Sequence, residues 1–84
     1  MTLQNDKYNC YYDEKYDDLT IRKKNTSSAF ASEIYDDIYV YKDDKNTVVG
    51  AQILFYKNRA RAILKQYLPK KIYKLLKELD QQII

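Results

Sequence analysis

The hydrophobic period of this chain changes once, and the change divides what each part can become. Between residues 8 and 56 apolar side chains alternate with polar ones; from Asn58 onward they recur at spacings of three and four. A period of two places every second residue on one face of a pleated strand, whereas spacings of three and four draw a stripe along a helix. Tyr8, Cys10 and Tyr12 alternate with polar neighbours, as do Leu19 with Ile21 and Ile38 with Val40. Residues 47–56 form a longer run rich in β-branched and aromatic side chains. Clusters of Asp, Asn, Lys and Ser bound these runs and predict turns at residues 13–17, 35–37 and 43–46. Residues 23–32 read as a polar loop leading into a short strand near 31–34.

Short connections predict antiparallel pairing of sequence neighbours. The expected fold class is therefore α+β. It is a small antiparallel meander of about four or five strands over residues 8–56, followed by one or two C-terminal amphipathic helices over 58–84, all one domain. One sheet face would carry Leu19, Ile21, Ile34, Ile38, Val40, Ala51, Ile53 and Phe55. The other would carry Tyr11, Tyr39, Tyr41, Val48, Leu54 and Tyr56, an aromatic face that calls for some cover. Asn58 suits a helix N-cap, and Pro69 breaks the helical segment and starts a second helix. In that helix Ile72, Leu75, Leu76, Leu79 and Ile83 make the apolar stripe. Gly50, inside the longest strand run, marks a bulge or a place where a neighbour packs on bare backbone.

What the chain lacks narrows its chemistry. It has no histidine, one glycine and one cysteine. These absences remove the commonest general base, the glycine-rich phosphate loop and an internal disulfide framework. A non-enzymatic protein without cofactor or metal is the expectation. The acidic turns, with Asp13, Glu14, Asp17 and Asp18 in the first, lack the glycine and the terminal Glu of a calcium loop. Their aspartates suit turns because a short carboxylate bonds nearby backbone N–H groups. The lone Cys10 reads as a small buried apolar residue and suits a reducing cytoplasm. No apolar run opens the chain or reaches the length of a membrane span, so neither a leader nor a membrane anchor is expected.

Charge is split as sharply as period. Residues 1–56 hold ten acids against seven bases, and residues 57–84 hold two acids against eight bases. Two binding surfaces are expected from the second part. The stripe Ile72, Leu75, Leu76, Leu79 and Ile83 either packs on its own sheet or binds a protein partner or a second copy. The basic residues Arg59, Arg61, Lys65, Lys70, Lys71 and Lys74 offer an alternative, a nucleic-acid-binding face that neutralises phosphates. The plain counterpart of that face is a solvated helix surface. A membrane-surface helix is the weaker reading, because tyrosine is its only bulky aromatic. An 84-residue chain buries only about 60–65% of its unfolded surface. With an aromatic face and an apolar stripe to hide, self-association is expected.

The order of acidic turns and aliphatic pairs resembles a small prokaryotic family, domain of unknown function 2283, over about residues 8–56. The matching residues are Tyr12, Asp13, Asp18, Leu19 and Ile21, then Glu33, Asp36, Asp37, Ile38 and Val40, then Val48, Val49, Gly50, Ile53 and Leu54. Tyr41 and Gln52 stand where the family pattern has acidic side chains, which argues against a carboxylate site. The family has no established activity, but some members look like antitoxins; for the protein-interaction module expected here, the resemblance implies an antitoxin-like role, with a toxin-like partner held by the C-terminal segment.

Overall fold

The structure is a computed structural model that describes residues 1–26 and 29–83. These residues form an α+β fold, a six-stranded antiparallel sheet followed by helices. The strands are β1 (Thr2–Leu3), β2 (Tyr8–Asp13), β3 (Asp18–Lys23), β4 (Phe30–Tyr35), β5 (Ile38–Lys42) and β6 (Val48–Leu54). A 3-10 turn at Tyr56–Asn58 leads to α1 (Arg61–Tyr67) and α2 (Lys70–Ile83). Ser27 and Ser28, within the expected polar loop, lie outside the described residues.

Two expectations about the sheet are corrected. It has six strands rather than four or five, because β1 is a two-residue pairing too short to show a period. It is not a simple meander, because the strand order is β1-β2-β3-β6-β5-β4. The β2–β3 hairpin and the β4–β5–β6 meander join along β3 and β6, where Leu19 faces Ile53 and Ile21 faces Ala51. That register puts four fully buried side chains on one face, so apolar burial selects this pairing over the shorter connection.

Both helices lie on that face. Leu64, Leu68, Ile72, Leu75, Leu76, Leu79 and Ile83 share one hydrophobic cluster with Cys10, Tyr12, Leu19, Ile21, Ile38 and Ile53. Leu68 is extended before Pro69, which separates the helices as expected.

The turns show how a chain with one glycine makes left-handed backbone. Asp17, Asn25, Asp37 and Asn46 all have positive φ, as Asn and Asp tolerate. The fifth such residue is Phe55, at φ 56°, where β6 has just ended. This bend reverses the strand parity expected for the last two residues of the run. Phe55, expected in the core, is half-exposed, and Tyr56, expected on the opposite face, is buried. The bend is clamped from two sides. The Tyr56 N–H donates to the Asp17 carbonyl at 2.9 Å, and the Lys57 N–H donates to the Asp17 carboxylate at 3.0 Å. Arg59 donates from Nε to the Leu54 carbonyl at 3.0 Å and from Nη2 to the Asp36 carbonyl at 2.6 Å. Asn58 is not the cap of α1, whose N-cap is Ala60; its amide donates to Asp17 instead.

Gly50 is required by close approach, and a register shift between Tyr41 and Lys42 lies beside it. A Cβ at this position would overlap the Ile21 carbonyl oxygen and sit 3.0 Å from Arg22 Cα, both on the paired strand β3. The bare backbone also opens a corridor across the sheet. Arg22, Gly50 and Tyr41 stand side by side on three strands, and the Arg22 guanidinium reaches over the gap to lie 5.3 Å from the Tyr41 ring centre. Gly50→Ala is expected to lower stability by about 2–3 kcal/mol, the usual cost of forcing atoms into a packed interior. Denaturant midpoints check this, and an unchanged midpoint would show that β3 and β6 separate freely.

Candidate functional site

The structure redistributes the residues singled out in the sequence. Ile72, Leu75, Leu76, Leu79 and Ile83 are all buried against the chain's own sheet. As a partner-binding surface the stripe is corrected to intramolecular core: apolar area already removed from water has nothing left to gain from a partner. Arg59 is committed to the backbone carbonyls named above. Arg61 is committed as well. Its Nη2 pairs with Asp80, while its Nη1 donates 3.1 Å to the Tyr56 hydroxyl, which itself donates 2.5 Å to the other Asp80 oxygen. Burial, then the bond to Asp80, pushes the Tyr56 phenol up, partly offset by Arg61, so it stays neutral. The two arginines expected to meet phosphate therefore hold the fold. Lys65 and Lys70 are exposed, Lys65 near the end of α1 and Lys70 at the start of α2.

Lys71 and Lys74 behave differently. They lie one turn apart on α2 and line an open groove of about 810 Å³ together with Lys7, Lys23 and Lys24. Three separate chain segments bring these lysines together. Asn5 accepts the N–H groups of Lys7 and Tyr8 at 2.9 Å, which folds the β1–β2 loop tightly. The Lys24 N–H donates 2.9 Å to the Lys7 carbonyl, joining that loop to the end of β3. Gln82 then ties the loop to α2, accepting from the Gln4 N–H at 2.6 Å and donating to the Gln4 carbonyl at 3.0 Å. Asn5 adds a 3.2 Å bond to Glu78.

Two acids, Asp6 and Glu78, also line the groove. Neither is paired with a lysine: among the described residues the one ion pair within 4.0 Å joins Arg61 to Asp80. Five unpaired ammonium groups around one concave surface create a positive field that a bound anion relieves. Cys10 lies on the core side of β2 near this region. Burial, followed by the Glu78 charge, pushes its thiol up to about 11 against the pull of Lys24, so it is a packing residue rather than a nucleophile.

The acidic turns do turn chemistry. Asp13 accepts backbone N–H bonds from Lys15 and Tyr16, and Asp43 accepts them from Lys45 and Thr47. Asp17 holds the corner, and Asp18 accepts from the Gln52 amide at 2.9 Å. Among the described residues, no group of three or more His, Cys, Asp or Glu side chains is placed to hold a metal ion.

No family model, curated protein or solved structure matches the chain.

The aromatic face expected to need cover is left open by the helices, which both pack on the other side. Tyr11 is half-exposed there, and Tyr39 and Tyr41 are partly buried. Sequence reasoning missed Lys7, Lys23 and Lys24 because they sit in the net acidic part of the chain. Their one local signal is the pairing of Lys23 with Lys24 at the end of a predicted strand, and Lys7 has none.

Proposed function

We propose that this chain is a non-catalytic binding protein that takes a nucleic acid in the groove formed by Lys7, Lys23, Lys24, Lys71 and Lys74. The convergence of five unpaired lysines from three segments carries this reading. Clustered ammonium groups at one surface bind phosphates by releasing counterions, and such binding depends steeply on salt. For a single strand met by all five lysines, log K should fall against log salt with a slope of about −3 to −4. Fluorescence anisotropy with a labelled oligonucleotide measures it. Replacing Lys24 and Lys71 together by Ala should weaken binding and flatten the slope by about 1–2, whereas Lys65→Ala, away from the groove, should leave both unchanged. No binding at low salt, or equal loss from Lys65→Ala, contradicts the reading.

A second reading keeps the protein-interaction role that the resemblance to domain of unknown function 2283 implies, including an antitoxin-like one. The observation in its favour is β4, the last strand of the sheet. It carries six residues without Lys, Arg or Pro, and its Phe30 is 67% exposed. The opposite end is protected, since β1 has two residues and its flanking Gln4 is bonded to α2. Glu33 is its one charged residue, and an edge strand free of Lys and Pro can accept another strand. On this reading β4 pairs with a second copy or with a toxin-like partner, and α2 plays no direct part. Light scattering at about 50 μM, within the range of weak dimers, should show mass above the monomer, reverting to monomer in Phe30→Lys. A strict monomer contradicts the self-pairing.

A further inference from the structure

We infer that the nucleic acid taken by the lysine groove is single-stranded, with Tyr11 as the platform on which a base stacks. This rests on the groove reading above and extends it along the surface. The lysine groove does not stop at the sheet edge. A second groove of about 570 Å³ shares Gln4, Asn5, Tyr8, Lys23 and Lys24 with it, and continues past Asn9, Tyr11, Thr20, Arg22 and Asn25. A strand of nucleic acid lying in both would pass from ammonium groups to an aromatic ring bordered by amides.

Tyr11 is built as a platform. It sits near the middle of β2, paired with Thr2 on one side and Thr20 on the other, so the two side chains directly across from it are small. It is 52% exposed on the face that neither helix covers. Tyr41, by contrast, already carries the Arg22 guanidinium on its ring. Asn9 and Asn25, both exposed, supply amide donors and acceptors for base edges.

Charge fixes which way the track runs. At one end of the β2–β3 hairpin Tyr8 faces Lys23, and at the other Asp13 faces Asp18. A polyanion is drawn to the first end and repelled from the second. Duplex bases have both faces occupied by their neighbours, so an aromatic side chain can stack only on a base that is unstacked. Aromatic side chains beside a positively charged groove are how proteins hold single strands without sequence preference.

The test is fluorescence anisotropy at low salt on the full chain, with one labelled single strand and the duplex made from it. Tyr11→Ala and Tyr11→Phe are compared with wild type. The single strand should bind more tightly than the duplex. Tyr11→Ala should weaken single-strand binding on the order of tenfold and leave duplex binding unchanged, and Tyr11→Phe should retain wild-type affinity. Tyr11 is half-exposed, so both variants should keep the wild-type circular dichroism spectrum. Equal binding of both forms, or a Tyr11→Ala variant that binds the single strand as wild type does, overturns this inference and leaves the groove standing. Binding of neither form, or displacement by polyglutamate as readily as by unlabelled strand, overturns the groove reading as well.

Discussion

The Asp17 carboxylate holds the corner on which this chain turns. It accepts the Tyr12 hydroxyl at 2.6 Å, the Lys57 N–H at 3.0 Å and the Asn58 amide at 3.2 Å, and its own backbone is left-handed. Burial, then this bond, lifts the Tyr12 phenol to about 12, so the hydroxyl stays protonated and able to donate. The strand β6 ends at Leu54, and without a sharp bend the chain would continue past the sheet edge. Phe55 makes that bend in a conformation a bulky residue rarely adopts, and such conformations persist where neighbouring bonds over-determine them. Asp17 on one side and Arg59 on the other supply those bonds.

The direction of the bend decides what each surface of the protein becomes. Because the chain turns back across the face of Leu19, Ile21, Ala51 and Ile53, the leucines of α2 are consumed as core. The tyrosine face is left without cover for the same reason. α2 comes to rest beside the β1–β2 loop and the end of β3, and Gln82 and Glu78 in its second half fasten it to that loop. Lys71 and Lys74 thereby meet Lys7, Lys23 and Lys24. The basic groove is a consequence of the corner rather than a property of any one segment.

The parts of the fold governed by local rules were legible in the residues. Alternation located β2, β3, β5 and β6, spacing located the α2 stripe, Pro69 separated the helices, and the aspartates marked turns. What depends on distant contacts was not. Pairing of β3 with β6 instead of β4 is chosen by the fit of Leu19 to Ile53 and Ile21 to Ala51, which no local period encodes. The inversion of Phe55 and Tyr56 needs a left-handed residue at a position where the sequence offers neither glycine nor asparagine. Arg59 and Arg61 read as phosphate ligands because charge is visible in a sequence, while the carbonyls and the carboxylate that occupy them are not. The groove escaped for the opposite reason, since its lysines come from both sides of the charge divide.

If the groove takes a nucleic acid as proposed, one corner, by folding the helices onto the sheet, assembles that site from residues far apart in the chain. Two-dimensional amide NMR of the full chain, titrated with a single-stranded oligonucleotide, tests it most directly. The account predicts that signals of residues around Lys7, around Lys23 and Lys24, and around Lys71 and Lys74 shift together, with one dissociation constant. Shifts confined to α1 and α2, or no shifts at all, would contradict it.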